Sequence, residues 1–190
     1  MEQLKEYLNQ FVELSEQNWK YISGITKIYQ FKKNTFFQQK NKHCTTIGFI
    51  ISGCFRSVKD IDGIERTFDF AVENEFVTDY YSIIRRVPSS YDIIAVEHSE
   101  VACMIASDIW ALFETDMELQ KLGRKIAEET VCYNLERLTS VLYDSPQVRY
   151  EKLMQNSPGA LVRVPQHFIA NYLGVTKETL SRIRSRMSGK

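Results

Sequence analysis

Gly174 is the residue that most narrows what this chain can fold into. It divides residues 164–187 into two stretches, one carrying Phe168, Ile169 and Leu173 and the other Val175, Leu180 and Ile183, whose spacing suits two short amphipathic helices sharing one small core. A glycine at that junction takes positive φ at a helix C-terminus, so the chain turns sharply without a Cβ clash. Thr176 is expected to cap the second helix by accepting from an unpaired N–H of its first turn. Ala170 is small, as a residue must be where two helices cross near a right angle.

The second helix then places Lys177, Glu178, Ser181 and Arg182 outward, flanked by Arg184 and Arg186, with Leu180 and Ile183 inward. That is the surface of a major-groove reader. Arg182 suits a bidentate contact to guanine, Glu178 suits accepting from cytosine N4, and the remaining cations, with Thr176 at the helix start, suit phosphates. An ordinary helical pair with a solvated basic face fits the same pattern, but the glycine turn, the small Ala170 and the charge placement coincide here. The charge distribution agrees. After Val162, six cations (Arg163, Lys177, Arg182, Arg184, Arg186 and Lys190) stand against the one anion Glu178, and because the chain is net neutral the rest carries −5.

Ahead of this basic end the pattern changes twice. Residues 2–19 place Leu4, Tyr7, Leu8, Phe11, Val12 and Leu14 at helical spacing, with a second short helix beginning at Ser15. From Ile25 to Ile105 short stretches rich in Phe, Tyr, Ile and Val alternate with polar turns. Ile47, Phe49 and Ile51, then Phe68, Phe70 and Val72, then Val101, Cys103 and Ile105 read as half-buried strands, and Asp62-Gly63 marks a hairpin. Turn spacing predicts a small barrel or sandwich without choosing between them.

A helix over about 115–143 follows, opened by a capping box of Thr115 and Glu118. It carries two apolar stripes out of phase: Leu119, Leu122 and Ile126, then Val131, Leu135, Leu138 and Leu142. The first is expected to be a self-associating seam and the second a contact with the chain's own strands, the alternative being a helix that packs only within its monomer. Asp144, Ser145 and Pro146 end the helix and make a hinge, dividing a sensor domain (residues 1–143) from a DNA-binding domain (residues 144–190). Residues 148–154 start the second domain's first helix, and residues 156–159 form a loop.

Several functions are disfavoured. There is no G-x-S-x-G, P-loop, dinucleotide fingerprint or metal-ligand spacing, and His43, His98 and His167 are scattered, so an enzyme, a metal site and a cofactor are not expected. Cys54 and Cys103 fall in apolar strand patterns and read as buried thiols. Neither a signal segment nor an apolar run of spanning length is present, and a cytoplasmic protein with no membrane partner is expected.

The segment Gly174-Val-Thr-Lys-Glu-Thr-Leu-Ser-Arg182 resembles the recognition segment of the Crp/Fnr family of bacterial transcription regulators. The resemblance extends through Phe49-Ile-Ile-Ser-Gly-Cys-Phe-Arg56, Asp60-Ile-Asp-Gly-Ile-Glu65 and Glu73-Asn-Glu-Phe-Val77, which look like successive turns of the family's β-roll, with Asn74 in a glycine's place. It implies an α+β chain: an N-terminal jelly-roll of the cyclic-nucleotide-binding type with flanking helices, a long dimerisation helix and a C-terminal helix-turn-helix. It implies a homodimer on a near-palindromic double-stranded DNA site, with RNA polymerase as a further partner and an unidentified small-molecule effector. Lys177, Glu178 and Arg182 stand where the family reads bases.

The departure lies in the ligand cassette. The family's Gly-Glu pair and its later Arg-Ser pair correspond to Thr78-Asp79 and Ser89-Ser90, so the phosphate-neutralising arginine is lost and the glycine's close backbone approach is blocked. Arg85 and Arg86 lie nearby as possible substitutes. A cyclic-nucleotide sensor module acting on a partner protein is the alternative function, against which the altered cassette argues. Only Ser, Gly and Lys follow Met187, so a wing strand after the recognition helix is expected to be missing.

Overall fold

The computed structural model describes residues 1–188, so Lys190 and the end of the segment expected to lack a wing lie outside the described residues. Among the described residues eight strands pair into two four-stranded antiparallel sheets: β1 (Lys27–Phe31), β8 (Ser99–Ile105), β3 (Thr46–Ser52) and β6 (Phe76–Val77) in one, and β2 (Phe36–Gln38), β7 (Asp92–Ala95), β4 (Phe55–Ile61) and β5 (Ile64–Ala71) in the other. This is the jelly-roll order, and it decides between the two architectures left open by turn spacing. Between the sheets Phe55 meets Phe31 and Phe37 edge-on, with ring centroids 5.6 and 6.0 Å apart, over buried Ile50, Ile93 and Val101.

Turn chemistry holds the registers. Asp62 and Gly63 both have positive φ (54° and 78°), the geometry that a two-residue hairpin needs to match strand twist, and β4 and β5 pair directly across it at Ile61 and Ile64. Asn74 adopts φ 66° in the place where the family carries glycine. Gly53 is required twice over: its φ is 108°, and a Cβ there would lie 2.1 Å from the Ser99 hydroxyl.

The expected alternation fails in β3 and β8. Gly48, Phe49 and Ile50 are buried in succession, as are Val101 to Met104, whereas Ile105 is exposed. The reason is a second apolar layer. Helices α1 (Glu2–Asn9) and α2 (Glu16–Ile25), with α4 (Ala106–Thr115) and the first half of α5 (Met117–Tyr143), cover the outer face of that sheet. Phe49, Ala102 and Met104 therefore pack against Leu4, Leu8, Leu14 and Ile22. A sheet covered on both faces loses its period-two signal.

The capping box is replaced by a different cap. Thr115 closes α4 by donating to Leu112 O at 3.0 Å, and Asp116 starts α5 by accepting from Glu118 N and Leu119 N at 2.8 and 3.0 Å. Asn18 ties α2 to this start, donating to Asp116 and Glu118 at 3.1 and 3.0 Å. Beyond α5, Ser145 caps α6 (Pro146–Asn156) with Pro146 in its first turn. The segment expected as a loop runs into a short helix, α7 (Pro158–Arg163), and the two remaining helices are α8 (Gln166–Tyr172) and α9 (Lys177–Ser188). Among the described residues no helix is long and apolar enough to cross a membrane.

Candidate nucleic-acid interface and ligand cassette

Helices α8 and α9 meet through the turn at Gly174, whose φ is 66° and beside which nothing lies within 4 Å, so conformation rather than space demands the glycine. Ile169, Ala170, Leu173, Leu180 and Ile183 are buried together, joined from α6 and α7 by Tyr150, Leu153 and Ala160. Thr176 accepts from Thr179 N at 3.3 Å as a cap. With that side of α9 buried, Thr176, Lys177, Glu178, Ser181, Arg182, Arg184 and Arg186 are all exposed. Glu178 is held below the usual carboxylate range by its own N–H and the Thr176 hydroxyl, so at neutral pH it only accepts hydrogen bonds.

One support for this turn was not legible in sequence. Arg149 on α6 donates to Leu173 O at 2.8 Å and to Val141 O at 3.3 Å, closing the C-terminus of α8 onto the last turns of α5. An isolated arginine on a helix gives no hint of which carbonyls it will meet.

Six candidate cassette residues separate into two groups. Thr78, Asp79 and Ser89 flank α3 (Tyr80–Arg85) and turn their polar atoms on the backbone. Asp79, 2% exposed, caps α3 through Ser82 N at 3.0 Å. Thr78 donates to Thr46 O at 2.9 Å, and Ser89 donates to Tyr91 O at 2.7 Å. The Tyr91 phenol is pushed far up by burial and by Asp79, to which it is hydrogen-bonded. Arg85, Arg86 and Ser90 are exposed, with Arg86 ending α3 in the left-handed conformation at φ 55°. The cassette is thus internally satisfied, and its two arginines lie on the outside.

Of the two stripes of α5 it is the first, expected as a seam, that packs within the chain. Leu119 and Leu122 are 1% and 4% exposed, buried against α1, α2 and β3 of the same chain, and Ile126 packs on that cluster. Leu119 and Leu122 are thus covered by their own chain. The uncovered residues are Val131, Leu135, Leu138 and Leu142, at 56, 58, 55 and 62% exposure. The cause is the reversal at Asp116, which lays the first half of α5 back along the helical layer.

A last group of contacts joins the C-terminal helices to the β5 side of the sandwich. Arg163 meets both oxygens of Glu73 (2.6 and 2.7 Å) and Glu97 (2.8 Å), and Asn171 engages the backbone of Thr67 and Glu65. Burial pushes the Glu73 carboxyl up, but Arg163 and the Gly53 N–H outweigh it and hold Glu73 below its ordinary value. Cys54 and Cys103 are buried, each thiol pushed up to about 12, and among the described residues no His, Cys, Asp and Glu cluster suits a metal ion.

Residues 28–116 match the family model of the cyclic nucleotide-binding domain. No curated protein matches the chain. Among solved structures, FixK2 from Bradyrhizobium japonicum is similar at 16% identity and TM-score 0.73, over 87% of this chain and 85% of that one. A protein from Eubacterium rectale described as a transcriptional regulator of the Crp/Fnr family is similar at 16% identity and TM-score 0.69, over 96% and 88%. The catabolite activator protein of Thermus thermophilus is similar at 21% identity and TM-score 0.55, over 96% and 87%.

Proposed function

Residues 28–116 are a domain of the cyclic nucleotide-binding family and the chain is built as the Crp/Fnr regulators are; on that premise we propose that it is a homodimeric, sequence-specific DNA-binding transcription regulator. The observation that carries this reading is the outer face of α9. Lys177, Glu178, Ser181 and Arg182 are exposed side by side while Leu180 and Ile183 anchor the opposite side, which is how a helix-turn-helix presents its second helix to the major groove. The DNA-binding unit begins at the Asp144 to Pro146 hinge, and Arg184 and Arg186 supply phosphate contacts. A second copy covers the free stripe of α5. RNA polymerase is the expected further partner by likeness to transcription regulators.

Site selection from random duplexes tests the assignment. The expected motif is a near-palindrome with half-site centres roughly 10 base pairs apart. Arg182→Ala should cost on the order of 1–3 kcal/mol and relax one base pair per half-site, whereas Arg186→Ala should weaken all sequences alike and lower the salt slope by about one. A motif without two-fold symmetry, or one that Arg182→Ala leaves unchanged, would overturn it.

The cassette supports a regulator that does not take cyclic AMP. A cyclic phosphate needs an inward cation and a close backbone approach, and here Thr78 and Ser89 stand at those positions while Asp79 is buried against Tyr91. Calorimetric titration with cyclic AMP should give no saturable heat, and stoichiometric binding in the micromolar range would refute this part of the reading.

A further inference from the structure

The contacts between α7, α8 and the sandwich form a clamp built of the chain's own side chains. Asn171 behaves as a short piece of strand against β5: its Oδ1 accepts from Thr67 N at 2.6 Å and its Nδ2 donates to Glu65 O at 3.2 Å. Those backbone groups face away from β4, so the amide occupies the open edge of the sheet. Arg163 is engaged through all three nitrogens at the other end, bidentate on Glu73, bonded to Glu97 and donating through Nε to Gly159 O at 2.9 Å. Between them the Arg56 guanidinium lies 3.9 Å from the Phe168 ring centroid, and Phe70 packs on Tyr172 with centroids 5.3 Å apart. Arg137 of α5 reaches Asp69 of β5 at 3.5 Å and lies over the same Tyr172 ring. Cys54, Phe70 and Val96 of the sandwich belong to the same apolar cluster as Leu173 and Leu180.

All of this grips α7 and α8, while the outer face of α9 stays uncovered. We propose that Arg163 and Asn171 are positioning residues for DNA recognition, locking α9 to the sandwich and to α5 so that a dimer holds its two reading helices at one fixed separation. The inference rests on the DNA-reading dimer proposed above and adds its mode of regulation: the orientation is set by side chains of the chain itself. A fixed separation has a consequence that simple affinity does not. Two rigidly held readers accept one half-site spacing, whereas readers on a loose hinge accept several with a lower effective concentration at each.

The test uses the full-length protein on its selected site and on sites with one or two base pairs inserted or removed between half-sites. Wild type should prefer its own spacing by roughly tenfold or more without any added ligand, and Arg163→Met with Asn171→Ala should reduce that preference to about threefold or less. Binding to a single half-site, and the base preference that depends on Arg182, should stay as in wild type. Asn171→Asp, which keeps the acceptor for Thr67 N–H and loses the donor to Glu65 O, should fall between the two. In the absence of DNA the Thr67 amide should exchange hydrogen faster in the double variant and stay protected in Asn171→Asp, which reads the clamp itself. Unchanged spacing preference in a variant whose Thr67 amide is deprotected would overturn the proposal while leaving the DNA reading intact. Wild type that binds no duplex would remove both.

Discussion

Replacing Leu135 and Leu138 together by glutamate is expected to turn a dimer into a folded monomer and to abolish tight binding to a two-fold site. Val131, Leu135, Leu138 and Leu142 recur at intervals of four, three and four residues along α5, and each is more than half exposed. That spacing is the one a coiled-coil seam uses, and an apolar row of this length uncovered by its own chain suits a second helix. Two carboxylates in the seam would lose their hydration without gaining partners, at several kcal/mol each. Leu122→Glu makes the necessary contrast. Leu122 lies in the chain's own core, 4% exposed, so that substitution should destabilise the fold and not merely separate two copies. Sedimentation combined with circular dichroism distinguishes the two outcomes, and wild type that sediments as a monomer at micromolar concentration would remove the dimer from the reading.

Glu75→Gln is expected to stabilise the protein above neutral pH and to flatten its stability between about pH 4.5 and pH 7. Glu75 lies in the turn before β6, and its Oε2 accepts from Val72 N at 3.0 Å. Burial pushes its carboxyl up to about 7, and the charges of Asp69 and Glu73 add to this while the Val72 N–H opposes it. An acid whose folded-state pKa is raised binds more protons folded than unfolded over that interval. Stability therefore falls as pH rises from the ordinary glutamate value to about 7 and then levels, by at most roughly 3 kcal/mol for a displacement of this size. Glutamine keeps an oxygen for Val72 N–H and has no charge to desolvate. Urea denaturation at pH 5, 6 and 7.5 reads the difference, and parallel pH profiles for the two proteins would show that Glu75 does not carry it.

Local chemistry was legible where a residue type has few uses. Gly174, Asp62 with Gly63, and Asn74 each declare a left-handed backbone position, and all four adopt one. Apolar spacing likewise gave the inward side of α9, because a short helix with one buried side leaves its polar residues nowhere else to point. The altered cassette was visible too, since losing a cation and a glycine is a change of residue type.

What sequence left open depended on neighbours distant in the chain. The two stripes of α5 are equally apolar, and nothing in their composition says which is covered. That was decided by the turn at Asp116, which presses Leu119 and Leu122 into the layer over β3 and leaves Leu135 and Leu138 uncovered by the rest of the chain. Thr115 and Asp116 compete for one cap, and only the geometry of α4 assigns Thr115 to its end. Arg163, read as one more cation of a basic end, is instead held by Glu73 and Glu97, 90 and 66 residues away along the chain. Periodicity and turn chemistry are local and survive in one dimension; which face is covered, and which charge finds a partner, depends on packing that exists only once the chain has folded.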